Sequence, residues 1–395
     1  MQHEGFKMGR IFGITIRVAW SWLVIFALVT FNLVFAFGNM HPDWSTLLRW
    51  TVAVVTALLF FASVLVHELA HSLVAKAQGI PIHNITLFIF GGVAHIQEEP
   101  KSPGAEFVMA LLGPVTSIVL GSALLFFTLL VSGGLRLMQQ PEAVLAQFGP
   151  LTTTTAWLGS INIILGIFNL IPGFPLDGGR MLRSILWAIT GNLRRATWWA
   201  SFAGRAIAWL MIMSGIAMAF GAQIPIFGQG LADGLWLAFI GWFLHNAAVS
   251  SYQRVLIEDV LEGVTVGQMM QAQPPTVPPD VTIADLVNDY LMRYDTNAFP
   301  VVEDDILQGI ICLHDVRSVA ETERQRLTVR DVMTPRAQID VIEEDSEASQ
   351  ALQKLAHREV RQLPVVDSDR LIGLLRRQDM MRWLQLKSDV TMDNL

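Results

Sequence analysis

The sequence predicts an α-helical polytopic membrane domain of about six transmembrane helices with a short membrane-associated β-segment, followed by a soluble α/β module built from a repeated unit. Three observations carry that prediction. Apolar runs of spanning length recur through the first 250 residues, and the chain is 52% hydrophobic but only 15% charged, too apolar for an ordinary soluble protein. The charge changes character near residue 255: residues 1–255 hold 13 Lys/Arg against 9 Asp/Glu, whereas residues 256–395 hold 14 against 25. Residues 265–395 also resemble themselves at an offset of 63–64 residues.

The first apolar run, 18–37, follows Lys7, Arg10 and Arg17. It is longer than the apolar part of a cleaved signal and lacks a small-residue exit, so it reads as a retained helix. A second run covers 51–75. Residues 79–97, with Pro81, β-branched and aromatic residues and Gly91-Gly92, read as short strands and a turn. A third run spans 105–131, and 132–150 reads as a loop with a short helix. The fourth run, 151–171, ends in the turn cluster Pro172-Gly173-Phe174-Pro175-Leu176-Asp177-Gly178-Gly179. An amphipathic stretch to Thr190 precedes the fifth and sixth runs, 197–220 and 230–250. Six spans put both ends on one side. One set of loops holds Lys7, Arg10, Arg17, Lys76, Lys101, Arg180, Arg183, Arg194, Arg195 and Arg254, and the other only Arg49 and Arg136, which predicts cytoplasmic termini.

Within the second run lies His67-Glu68-Leu69-Ala70-His71. Histidines four apart share one face of a helix and can hold one Zn²⁺, and the adjacent glutamate can take a proton from an activated water. The competing reading is a pair of packed core histidines. Three such groups in a lipid-spanning segment are costly unless something pairs or uses them. A catalytic zinc usually takes a third protein ligand. Asp177 is the candidate, because topology brings the ends of the second and fourth runs to similar depth on one side. By itself Asp177 also reads as a helix N-cap.

These residues carry a resemblance. His67-Glu68-x-x-His71 with Asn169-x-x-Pro172-x-x-x-x-Asp177-Gly178 looks like the site-2 protease family of intramembrane zinc metalloproteases (peptidase M50). The resemblance implies His67, His71 and Asp177 as ligands of one catalytic Zn²⁺, Glu68 as the activating base, and Asn169 as a hydrogen-bond donor to substrate or developing oxyanion. Gly91 and Gly92 resemble the family's β-segment, which presents a strand edge to the substrate, and Asn162 is a further substrate-side candidate on the face of Asn169. Gly113-Pro114-x-x-Ser117 resembles the family's small-residue motif, read here chiefly as close helix packing. His245 reads as a packed histidine or a gate. The implied activity is a metalloendopeptidase that cuts a single-span membrane protein near the cytoplasmic face, in a prokaryotic cell membrane.

In the second half, Thr265–Met270 answers Thr328–Met333, Phe299-Pro300-Val301-Val302 answers Leu363-Pro364-Val365-Val366, and Asp315 answers Asp379. The pattern resembles a tandem cystathionine-β-synthase (CBS) pair, giving domains at 1–255 and, after a linker at 256–264, at 265–322 and 323–395. The resemblance implies adenine nucleotide (ATP or another) held by Asp315 and Asp379. The family's neighbouring Thr/Ser is replaced by Cys312 and Arg376, which leaves a ligand-free, dimerising role open and with it a homo-oligomer. The acidic soluble half argues against nucleic acid as a partner. Cys312 is the sole cysteine, so no intrachain disulfide forms. A second function class, a CBS-gated cation transporter or channel, would use the same His, Glu and Asp residues as an ion path.

Overall fold

The computed structural model describes residues 5–392 apart from 90, 97–99, 133–147, 225–227, 229, 262, 295, 297 and 358–361. The short helix expected within 132–150 lies outside the described residues. The chain divides into two compact units, Met1–Gln253 and Arg254–Leu395.

The membrane unit opens with two strands that the sequence reading missed, β1 (Gly5–Ile11) and β2 (Ile14–Ala19). They form a hairpin across Phe12-Gly13, both at positive φ (51° and 82°), as the right-handed twist of paired strands requires. In β2 the alternation is clear: Ile14, Ile16 and Val18 are buried, Thr15 and Arg17 less so. β2 pairs in parallel with β3 (Ile82–Phe88), which pairs antiparallel with β4 (Gly91–Ile96). Among the described residues the order β1-β2-β3-β4 leaves β4 on an edge.

Helix α1 (Trp20–Met40) leads to α2 (Thr46–Ala77), whose N-terminus is capped by the Ser45 hydroxyl accepting from Leu48 N–H at 3.3 Å. The sheet lies on α2 through Ile14, Ile16 and Ile85 against Leu69, and through Val18 and Leu87 with Trp22 and Phe61. The turn of α2 that carries the histidines is therefore flanked by the sheet. Next come α3 (Pro103–Ser132), α4 (Pro150–Asn169), the amphipathic α5 (Asp177–Thr190), α6 (Leu193–Ala219) and α7 (Leu231–Leu261).

Helices α2, α3 and α4 are laced by hydroxyl contacts. Thr56 meets Thr154 at 3.0 Å and Thr128 meets Thr155 at 2.8 Å, while His41 before α2 meets Thr153 at 2.9 Å. In lipid such interhelical bonds are each worth about 0.6 kcal/mol.

Among the described residues, five helices are long and apolar enough to cross a bilayer: α1, α2, α3, α4 and α6. The expected sixth, α7, is a 31-residue helix outside that set. Its apolar run is diluted by Trp236, Trp242, His245 and Asn246. The placement of both termini on one side therefore rests on α7 crossing as well. Segment 256–264, expected as a linker, is helical through Leu261.

The soluble unit contains, among the described residues, a seven-stranded sheet in the order β6-β7-β11-β10-β9: Ala298–Glu303, Ile306–Cys312, Arg370–Arg376, Gln362–Asp367 and Ile342–Glu343. Two short strands cross between the copies. β5 (Gln271–Ala272), from the first copy, pairs with β11 of the second, and β8 (Thr334–Pro335), from the second, pairs with β7 of the first. The cores follow the same exchange. Val266 and Met269 pack with Ile342, Leu363, Val365 and Leu375, whereas Val329 packs with Val277, Phe299, Val301 and Ile311. The helices of the module include α8 (Leu313–Ser318), α9 (Ala348–His357) and α10 (Arg377–Met392).

Candidate metal centre

The three expected ligands converge although Asp177 lies more than 100 residues from the histidines. His67 Nε2 is 3.2 Å from Asp177 Oδ2, His71 Nε2 is 3.1 Å from the same oxygen, and the two Nε2 atoms are 3.2 Å apart. Both histidines are buried and Asp177 is nearly so. Asp177 is the first residue of α5, with Leu176 at the cap position, so its side chain serves the cluster. Among the described residues this is the one His/Cys/Asp/Glu group with metal-ligand geometry.

The protonation pattern can be read from the outer partners. His71 Nδ1 lies 2.7 Å from the Met109 carbonyl, which can only accept, so Nδ1 carries the proton and Nε2 presents a lone pair. His67 Nδ1 lies 2.9 Å from Ser117 Oγ, a hydroxyl that can accept from the same tautomer. In that tautomer both Nε2 atoms and the Asp177 oxygen present lone pairs across edges of 3.1–3.2 Å, an arrangement that a cation would relieve. Tetrahedral zinc bonds of about 2.05 Å set neighbouring ligand atoms roughly 3.3 Å apart, so the donor set fits Zn²⁺.

Gly113 makes this approach possible. A Cβ there would overlap His71 Nε2 and come within 2.8 Å of His67 Nε2. Met109, Gly113 and Ser117 fall four apart on one stripe of α3, and that stripe faces both rings. In the sequence this motif reads as a helix-packing stripe. Its i, i+4 repeat was visible, but the partner was not.

Glu68 sits beside His67 with its side chain against β4. A Cβ on Gly92 would lie 2.5 Å from Glu68 Cγ and 3.1 Å from Cδ, so glycine is needed for the edge strand to run this close. Gly91, at φ 126°, opens that strand. Asn169 is half-buried at the end of α4, and its amide donates to Leu165 O at 3.0 Å rather than joining the cluster. Asn162 is fully buried and donates to Leu158 O at 2.8 Å within its own helix. His245 packs edge-on against Trp209 with ring centres 5.7 Å apart. Arg183, counted as a cytoplasmic loop charge, is instead buried and paired with Glu106, which the sequence reading passed over.

In the soluble unit, Asp315 Oδ2 accepts from Cys312 N–H at 2.8 Å, capping α8. Asp379 is gripped by Arg376 through Nε–Oδ2 and Nη2–Oδ1 contacts of 2.8 Å each. Arg376 lines a cleft of about 360 Å³ with Gln271, Gln273, Tyr294 and Leu374.

Fold and site together define a helical membrane protein with a buried cluster of three donors that could hold a metal ion beside a strand edge, carrying a two-copy α/β module. Comparison with known proteins makes this specific. Residues 55–211 match peptidase family M50, and residues 266–321 and 329–386 match the CBS domain. The chain is 31% identical to Rip3 of Mycobacterium tuberculosis over 97% of its own length and 93% of that protein. It is 30% identical to zinc metalloprotease MJ0392 of Methanocaldococcus jannaschii, covering 84% of this chain and 85% of that one. A solved site-2 protease from M. jannaschii matches at 27% identity and a TM-score of 0.41, covering 63% of this chain and 95% of the other. The chain belongs to peptidase family M50, the site-2 proteases, with a tandem CBS pair appended. Membership implies zinc as the metal and favours the peptidase over the transport reading.

Proposed function

We propose that this protein is a zinc-dependent intramembrane endopeptidase that cuts a single-span membrane protein near the cytoplasmic face and releases a soluble fragment, and that both its termini are cytoplasmic. The observation that carries the reading is the closed triangle of His67, His71 and Asp177 with Glu68 lying between it and an edge strand. Zinc bound there supplies Lewis-acid activation of water and of the scissile carbonyl.

The rest is the work of the chain. His67 and His71 are oriented by Ser117 and the Met109 carbonyl. Glu68 receives the proton of the attacking water and returns it to the leaving amine. A substrate helix must first unwind, since its carbonyls are otherwise bonded within the helix. The free edge of β4 accepts the extended segment by strand addition, and Gly92 lets it lie against Glu68. Asn169, placed where α4 gives way to the Asp177 turn, serves the oxyanion after releasing Leu165 O.

Adenine nucleotide at the CBS pair regulates this activity. Asp315 and Asp379 occupy matching positions at the starts of α8 and α10, and a nucleotide entering the cleft lined by Arg376 must draw that side chain away from Asp379 or meet it with a phosphate. Titration of ATP into the full-length protein by calorimetry tests this part; absence of heat removes it.

The activity is tested with purified protein and a single-span reporter in liposomes. Wild type cuts it, zinc chelation stops the cutting, and Glu68→Gln keeps zinc while losing at least about 100-fold in rate. Cutting that persists in Glu68→Gln would refute the assignment.

A further inference from the structure

We infer that the buried ion pair Glu106–Arg183 is a positioning device for Asp177, fixing the third ligand by locking α5 onto α3. The inference rests on the reading of His67, His71 and Asp177 as zinc ligands.

The two histidines share one rigid helix, and each is steadied by α3: His67 through Ser117 and His71 through the Met109 carbonyl. Asp177 meets α2 through the two histidine rings, at 3.1–3.2 Å. It arrives on a separate helix after a turn rich in proline and glycine. Glu106 continues the α3 stripe that holds Met109, Gly113 and Ser117, three residues ahead of Met109. Arg183, in the second turn of α5 after Asp177, donates from Nε to Glu106 Oε1 at 2.7 Å, and its Nη2 also contacts that oxygen. Arg180, one turn after Asp177, places its Nε 3.9 Å from the same atom. The guanidinium carbon of Arg183 also stands 5.5 Å from the centre of the Phe174 ring. Phe174 lies in the turn that delivers Asp177, and its N–H donates to Ala200 O of α6 at 3.3 Å. One arginine therefore ties α3, α5 and the turn together.

Burial argues that stability alone does not explain the pair. Glu106 is 0% exposed and Arg183 3%. Removing both charges from solvent is costly, and well-packed apolar residues of similar volume commonly stabilise a fold as well or better. What the ion pair adds is registry: directional contacts fix both the rotation and the axial position of α5. A metal site tolerates deviations of only about 0.2 Å in its ligand distances, so registry is what Asp177 needs.

The test uses full-length protein loaded with Zn²⁺. Zinc stoichiometry, the rate of zinc release to EDTA, and the melting temperature of the zinc-free form are measured for wild type, Arg183→Met, Glu106→Gln and the double variant Glu106→Leu/Arg183→Met. His67→Ala and Asp177→Ala serve as ligand controls. The single variants are expected to release zinc 10–100-fold faster, the range seen when outer-shell partners are removed. The double variant is expected to melt at or above the wild-type temperature yet still release zinc fast. That split separates registry from packing, even where a single variant folds poorly. A double variant that releases zinc at the wild-type rate would overturn the inference, as would a stable single variant that does so. If the ligand controls lose zinc while the pair variants keep it, the inference alone falls. If wild type holds no stoichiometric zinc, the ligand assignment falls and takes the inference with it.

Discussion

Replacing Gly113 by alanine puts the geometry of the centre to its sharpest test. The added methyl would overlap His71 Nε2 and sit 2.8 Å from His67 Nε2. Ordinary contacts begin near 3.5 Å, so relief requires the His71 ring to retreat by about 1.5 Å and the His67 ring by about 0.7 Å. His71 cannot turn freely, because its Nδ1 is tied to the Met109 carbonyl at 2.7 Å. Overpacking in a tight core costs about 1–3 kcal/mol, but that cost alone would not identify a metal site. Gly121, two turns further along α3, supplies the comparison. A Cβ there would come 2.7 Å from Gly159 O and 2.8 Å from Ile163 Cγ1, a clash of similar kind with no ligand involved. Both alanine variants should lower the melting temperature. Only Gly113→Ala should lose zinc, releasing it to a chelator at least about 100-fold faster than wild type, a loss of roughly 2.7 kcal/mol or more in binding. The assay is metal content after gel filtration together with the release rate. Equal zinc retention in the two variants would refute the convergence of both Nε2 atoms on a metal beside Gly113.

Other consequences can be checked on the same preparation. Ser117→Ala removes the partner of His67 Nδ1 and should raise the zinc release rate about 10–100-fold with little change in melting temperature; an unchanged rate would mean that the hydroxyl does not orient the ring. Gly92→Ala pushes the edge strand away from Glu68, so zinc content should stay at the wild-type level while reporter cleavage falls at least about tenfold. Burial, and next the charge of Asp315, push the Cys312 thiol up to about 11. The neutral thiol therefore prevails below that pH. Iodoacetamide labelling at pH 8 should run roughly 100-fold slower than for free cysteine, climb with pH, and speed up in Asp315→Asn. Labelling at the rate of free cysteine would show that the thiol is not held in this way.

The legible parts of the chain were those in which the signal is local. His67, Glu68 and His71 declare themselves through helical spacing, and Asp177 through a carboxylate placed at the depth of the histidines. The 63–64 residue offset displays the duplicated module directly. What stayed hidden depends on partners distant in sequence. Ser117 looks like a small packing residue until His67 is set against it, 50 residues away. Glu106 looks like a helix-start charge until Arg183 is found 77 residues on. Strands β1 and β2 were obscured because their basic residues read as a flank to the first span, although Ile14, Ile16 and Val18 alternate. The departure of Arg376 from the CBS pattern was visible, but its two-point grip on Asp379 was not.

The crossing of β5 and β8 between the two CBS copies has a consequence for how that module is inherited and broken. Each copy lends its opening segment to the other's sheet and core. Neither half is a heritable part in its own right: excising one leaves its sibling with a missing edge and a gap in its interior. Damage is likewise misaddressed, because a lesion at Met269 is felt around Leu363 and Val365, and one at Val329 around Phe299 and Val301. The duplication behaves as one indivisible object.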